Sequence, residues 1–275
     1  GDRRGRTPLH LAAARNDARM IDALLGAGAD PQMRGPCGGT SLHTAARFGA
    51  RSAAERLLAV LGPDVPDIAG AAPLAVAASS GQTDIMELLW RHHADPERHD
   101  AMGNAALIGA AVGGHQRAVD MLLRWGADPA RKRRDGVTPM HAAASAGHTV
   151  ILQMLLRAGA DPNVRDARGA TPLFAAAAAG RAAATDFLLR VSETPGQADH
   201  EGQTPLMAAA RFGDAVTVRF LVEAERRSRS SPAVFQAARS RAAARDVCDP
   251  ERWAILIMLD RMAGEVVVQV PPEFE

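Results

Sequence analysis

His92, His93 and His99 fall within eight residues and form the densest group of metal-type ligands in the chain. No cysteine or carboxylate completes a recognised ligand spacing with them. His93 also stands where Gly28, Gly126 and Gly159 stand elsewhere, a slot that ends helices. A turn is therefore expected there, and no metal. His115 and His148 each follow a glycine at the opening of a helix and read as structural. Gly26-Ala27-Gly28 resembles a phosphate loop only superficially, because it closes a helix where a dinucleotide site needs a strand before and a helix after. Arg131-Lys132-Arg133-Arg134 is the one basic run. It would suit an import signal or a nucleic-acid contact, but Asp135 beside it and the weak overall charge favour a solvated loop tip. The Arg226–Ser231 cluster offers phosphorylation chemistry, although Ser231-Pro232 equally reads as a helix cap followed by proline. There is no nucleophile elbow, zinc-protease helix or kinase signature, and the carboxylates mostly serve turns and caps. No catalytic, cofactor or metal residue is assigned, and no enzyme activity is expected.

What is regular lies in the elements that carry these residues. In Gly136–Arg165, Thr138 followed by Pro139 starts a helix: the hydroxyl caps free N–H groups, and proline costs nothing at the first position. A short Ala-rich helix stops near Gly147. A second helix carries Val150, Ile151, Met154, Leu155 and Leu156 at helical spacing and ends at Gly159. The pattern recurs. Its marker glycine falls at Gly5, Gly38, Gly70, Gly103, Gly136, Gly169 and Gly202, at intervals of 33, 32, 33, 33, 33 and 33 residues. Nineteen and twenty residues after each glycine sits an apolar pair, from Leu24/Leu25 to Leu221/Val222.

This period divides the chain into seven repeats, at about 2–34, 35–66, 67–99, 100–132, 133–165, 166–198 and 199–225, filling 1–225. A divergent unit over 226–263, with Trp253, Ile255, Leu256, Met258 and Leu259 in its second helix, is expected to close the stack. The tail 264–275 reads as extended. The third and fourth repeats have Ala72 and Ala105 where the others have Thr, and so are expected to lean on their neighbours. Helices of roughly nine to eleven residues are too short to be stable alone, so stability must come from stacking. Ala pairs such as Ala45/Ala46 and Ala77/Ala78 allow close approach, and the Leu pairs fill the space behind.

Composition agrees. The chain of 275 residues is 47% hydrophobic with no Tyr, so Ala and Leu do the packing. A net charge of +1 argues against strong general attraction to nucleic acid or anionic membrane. Two cysteines, Cys37 and Cys248, in non-equivalent places provide no disulfide framework. With no apolar run of membrane length, no membrane insertion is expected, and an intracellular, cytoplasmic setting is the simplest assumption. The sequence opens on Gly1 within a repeat, which reads as a piece of something longer.

The run Asp2-Arg3-Arg4-Gly5-Arg6-Thr7-Pro8-Leu9-His10-Leu11-Ala12-Ala13, with Leu-Leu-x-x-Gly-Ala-Asp-Pro behind it, resembles the ankyrin repeat. The resemblance implies an all-α solenoid that binds partner proteins through hairpin tips and inner-helix faces and is not itself catalytic. It implies that His10, His43 and His141 bond across neighbouring backbone. That ladder is in question where Ala75, Ile108, Phe174 and Met207 replace the histidine. Asn163 resembles an asparagine that oxygenases hydroxylate in some ankyrin repeats. In the positions that the fold leaves open, the chain places Arg3, Arg4, Arg6, Arg15, Arg47, Phe48, Arg134, Asp135, Arg168, His200, Glu201, Gln203, Arg211 and Phe212. These are the expected contacts of an acidic or partly apolar partner protein on a concave face. Phe48 and Phe212 share an identical Ala-Ala-Arg-Phe-Gly context, and the alternative is that each ring tucks beneath a neighbouring hairpin. A monomer is expected. The competing functions are an assembly subunit of a larger complex and a regulatory piece of a multidomain protein.

Overall fold

The computed structural model describes residues 5–212, 214–227, 232–244 and 250–263. All regular elements among them are helices, apart from one isolated bridge between His99 and Ala105. The chain divides into two compact units, residues 1–134 and 135–275. The first unit holds α1 (Pro8–Ala14), α2 (Ala18–Gly26), α3 (Ser41–Phe48), α4 (Arg51–Leu58), α5 (Pro73–Ser79), α6 (Thr83–Arg91), α7 (Ala106–Gly113) and α8 (Gln116–Arg124). The second holds α9 (Pro139–Ala146), α10 (Thr149–Arg157), α11 (Pro172–Ala178), α12 (Ala182–Val191), α13 (Pro205–Phe212), α14 (Ala215–Arg227), α15 (Pro232–Ala243) and α16 (Pro250–Ala263).

Within each unit the odd-numbered helices pack on one another as an inner row, and the even-numbered helices form an outer row behind them. The inner row is held together by alanine. Ala12, Ala13, Ala45, Ala46, Ala77 and Ala78 are all buried, as are Ala143, Ala144, Ala176, Ala177, Ala209 and Ala210 in the second unit. Such small side chains leave room for close approach between backbones. The first leucine of the outer pair is completely buried between the rows at Leu57, Leu89, Leu122, Leu155 and Leu188, whereas Leu24 in the outermost pair of the first unit is only half-buried. The second is less so. Trp90 takes that slot in α6, remains partly exposed, and stacks on Trp125 with ring centroids 4.9 Å apart.

Helix starts follow the residue chemistry. The side chains of Thr7, Thr138 and Thr171 accept the backbone N–H three residues on, and Pro occupies the first turn. Ala72 and Ala105 give α5 and α7 no such cap. The helices of the first six pairs are seven to ten residues long, mostly shorter than the sequence suggests. A left-handed residue closes α1, α3, α5, α7, α9 and α11 early. In most repeats it is glycine, but Asn16 at φ 55° does this work in the first. Asn16 then uses its side-chain oxygen to accept the N–H of Ala53, capping α4 in the next repeat.

Glycine is needed most sharply at Gly136, with φ 79°, where a Cβ would lie 2.6 Å from the backbone nitrogen of Ala167. His93 sits at φ 65° in the helix-ending slot expected from the sequence, and both it and His92 face solvent. In the second unit, α15 packs on α13 and α16 on α14. Arg239 on α15 pairs with the fully buried Asp260 on α16. A charge at that depth is tolerable only with such a partner.

Candidate functional site

Three histidines brace successive inner helices. Nε2 of His10 lies 3.0 Å from the carbonyl oxygen of Gly39, that of His43 3.0 Å from Ala71, and that of His141 3.0 Å from Ala170. A carbonyl can only accept, so Nε2 carries the proton in each case and Nδ1 is left as an acceptor. Nδ1 is met by the hydroxyl of Thr7, Thr40 or Thr138 at 2.7, 3.0 and 2.9 Å. The Thr40 N–H also donates to His43, at 3.1 Å. Each histidine thus caps its own helix and holds the hairpin of the next repeat. Burial lowers the His43 pKa against the opposing pull of the Ala71 carbonyl. The imidazoles are structural braces and are fully occupied as such.

The hairpins between repeats are the second component. In the first unit Ile68 donates its N–H to Gly38, Ala101 to Ala69, and Arg134 to Met102, at 3.0, 2.9 and 3.0 Å. In the second unit Ala167 donates to Asp135 and His200 to Arg168, at 2.9 and 2.8 Å. Most hairpins open with an aspartate that folds over its own loop. Asp67 accepts the N–H groups of Ala69 and Ala71, and Asp100 those of Met102 and Asn104, all at 2.8 Å. For Asp100 burial works to raise the carboxyl pKa, but hydrogen bonds from Asn104, Met102 and Gly103 outweigh it and hold the pKa low. Asp64 moves the other way: burial raises its pKa against the Asp95 N–H bond.

Arginines lock the hairpins from the side. Arg34 donates to the carbonyls of Gly38 and Pro66 at 2.9 and 2.8 Å, and Arg165 to Gly169 and Ala198 at 2.9 Å each. Sequence reasoning passed over both, although each stands four residues before a marker glycine.

The expected contact residues distribute as follows. Phe48 and Phe212, at the ends of α3 and α13, are 60% and 62% exposed, so neither ring tucks beneath a hairpin. The Arg211 guanidinium stacks 4.6 Å above the Phe212 ring. Arg15, Arg47, Arg134, Arg168, His200 and Glu201 are exposed, and Arg6 and Gln203 are half-buried. Arg3 and Arg4 lie outside the described residues, as do Ser228–Ser231, Cys248 and the tail. Asp135 has a different occupation: its side chain accepts the Val137 N–H, at 3.2 Å, serving its own loop.

The structure gathers Arg6, Arg47 and Phe48 on one groove of about 390 Å³ between the hairpins and the inner row of the first unit. In the second unit it brings Glu201, Gln203 and Arg211 together in a shallow groove against α15. Among the described residues, no three His, Cys, Asp or Glu side chains are grouped to hold a metal ion. His99 receives a hydrogen bond from Arg131, 2.7 Å away. Nor is any described helix long and apolar enough to cross a membrane. Asn163 is half-buried, and its side-chain oxygen accepts from Ser192 at 2.6 Å. Four residues escaped the sequence reading: Pro36, Cys37, Ile68 and Met102. They occupy the same two hairpin-tip positions as Arg134 and Asp135, so the register alone could have found them.

Comparison with known proteins matches this architecture. A family model of ankyrin repeats in three copies matches residues 1–67 and 42–133, one of many copies matches 122–176, and a single-repeat model matches 201–229. Human NF-kappa-B inhibitor alpha is 51% identical over 43 residues, which is 16% of this chain and 14% of that protein. The match thus spans about one seventh of that relative. The crystal structure of the human ASB11 ankyrin repeat domain superposes with a TM-score of 0.70 at 23% identity, covering 80% of this chain and 98% of that one. Stacked helix pairs of one period, hairpins locked in register and family models over most of the length agree: the chain belongs to the ankyrin-repeat family, an α-solenoid of a kind that typically serves as a non-catalytic protein-interaction scaffold.

Proposed function

We propose that this chain is a non-catalytic scaffold that holds a partner protein against its inner-helix ends and hairpin tips. The observation that carries the reading is the exposure of Phe48 and Phe212 beside Arg47 and Arg211. An apolar ring held in water gains no burial energy for the fold, and aromatics and arginines dominate the energy of protein interfaces. The packing of the inner row does not use these rings. The pair at Arg211 and Phe212 is already stacked, so little side-chain freedom is lost when a partner arrives. Arginine on this face favours a partner that presents carboxylates around an apolar contact. The likeness to a protein named as an inhibitor of NF-kappa-B supports repeats that act upon another protein, and no particular pathway. The α15–α16 pair serves to close the second unit.

The test replaces Arg47, Phe48, Arg211 and Phe212 with alanine together. The thermal transition followed by circular dichroism should stay within about 3 °C of the native value, since exposed substitutions rarely matter to stability. Recovery of crosslinked partner protein from native extract should fall at least about tenfold. Unchanged recovery from a folded variant would dismiss the assignment of this face. A large loss of stability would show that the rings serve the fold instead.

A further inference from the structure

The hairpin tips of the first unit change character along the row. Pro36 and Cys37 are exposed in the tip before Gly38, Ile68 is 79% exposed in the next and Met102 52% exposed in the one after. The three backbone bonds from Ile68, Ala101 and Arg134 fix these tips in one register. Below them lie two grooves. The first, of about 390 Å³, has Pro36, Phe48 and Val76 in its wall; the second, of about 330 Å³, has Val76, Ile108 and Val112. Val76 belongs to both, so the two grooves adjoin at an apolar residue. Phe48, Ile68, Val76, Met102 and Val112, five exposed or partly exposed apolar side chains in one region, exceed what scattered surface hydrophobes account for.

Charge brackets this strip. Arg6 and Arg47 line its first end, and Arg133, followed by Arg134, stands at the other within the basic run. Between these ends the tip positions are Ile68, Ala69, Ala101 and Met102, with no cation among them. The carboxylates nearest the strip, Asp67 and Asp100, are turned into their own loops and accept backbone N–H groups. Glu97 is taken by Arg131 at 2.7 Å. The face is therefore positive, apolar, then positive.

We propose that this face seats one extended segment of a partner protein that is apolar in its middle and acidic at both ends. The proposal rests on the scaffold function above and specifies its occupant. A peptide is favoured over a nucleic acid because nucleic acid carries charge evenly along its backbone and would meet no cation across the apolar centre. Acidic flanks meeting the two basic ends fix the segment in place, and the buried centre supplies most of the affinity.

The experiment uses the full chain and a fluorescein-tagged peptide with a Leu-Phe-Leu-Val centre and a run of glutamates on each side, followed by fluorescence anisotropy. Saturable binding is expected. It should weaken about tenfold with Ile68→Glu and Met102→Glu together, and several-fold, by roughly the same factor, when either glutamate run becomes glutamine. Should Ile68→Glu unfold the chain, Ile68→Thr with Met102→Gln reads the same contact with a smaller loss. The proposal is overturned if the peptide does not saturate, if a serine centre binds as well, if a tagged single-stranded oligonucleotide competes equally, or if the folded variants bind unchanged. In any of those cases a partner capture that still depends on Arg47 and Phe48 would leave the scaffold reading standing. Loss of both would remove the two together.

Discussion

The first two repeats and the next two solve one problem differently. Where α1 meets α3 and α3 meets α5, a threonine and a histidine build a polar brace that reaches the next hairpin. At the following two inner helices the histidine is replaced by Ala75 and Ile108, and the threonine by Ala72 and Ala105. Ile108, at 2% exposure, fills the space with hydrocarbon. Polar bracing there moves to the hairpins, where Asn104 donates to Asp100 at 2.8 Å and Arg133 reaches Asn104 at 3.3 Å. The lesson is that the histidine leans on the threonine and not the reverse, since Thr171 and Thr204 cap their helices with Phe174 and Met207 in the histidine slot. A histidine without its threonine loses the hydroxyl that meets Nδ1 and keeps at most the backbone N–H seen at Thr40.

That claim can be broken directly. Ile108→His alone should cost most, about 3 kcal/mol or more, since it removes a buried aliphatic group and introduces a buried ring nitrogen without its hydroxyl partner. Adding Ala105→Thr should return part of that loss by restoring the partner. Urea denaturation of the single and double variants measures both, and failure of the threonine to recover anything would refute the pairing. His43→Ala should cost less, about 1–3 kcal/mol, by leaving the Ala71 carbonyl without its donor.

The smallest effect concerns pH. Burial lowers the folded-state His43 pKa below the unfolded value of about 6.5. Below 6.5 the unfolded chain takes up a proton that the folded chain refuses. The contribution is thus present above the unfolded value and is lost as pH falls through the folded one. Native protein should lose denaturation midpoint over that window, and His43→Ala should lose less. Parallel loss in both would separate the pH response from this histidine.

Much of the fold is legible in the sequence because its devices are local. Thr7-Pro8 and Thr138-Pro139 declare a helix start within two residues, and the marker glycines report left-handed turns at a fixed interval. The third and fourth repeats were readable in their losses, at Ala72 and Ala105, but not in their compensation. Arg34 and Arg165 reach carbonyls more than thirty residues ahead, and a flexible side chain gives no sign in sequence of where its guanidinium settles. Asn16 is similar: its left-handed turn suits an asparagine, but its role as the cap of α4 needs the next repeat in place. The exposed rings of Phe48 and Phe212 sat at positions that packing does not require, so their type was informative before their exposure was known. Ile68 and Met102 were equally visible by register. They were passed over because isolated aliphatic residues draw less notice than arginines until the structure sets them in a row.

The central claim is that partner protein is held at the inner-helix ends. A photo-reactive phenylalanine analogue placed at Phe48, and in a second sample at Val60 beyond the end of outer helix α4, tests it most directly. Both positions are exposed, so both probes report on solvent-facing surface of the same unit. The account predicts a crosslinked partner from position 48 and little or none from position 60. Crosslinking at 60 with none at 48 would contradict it.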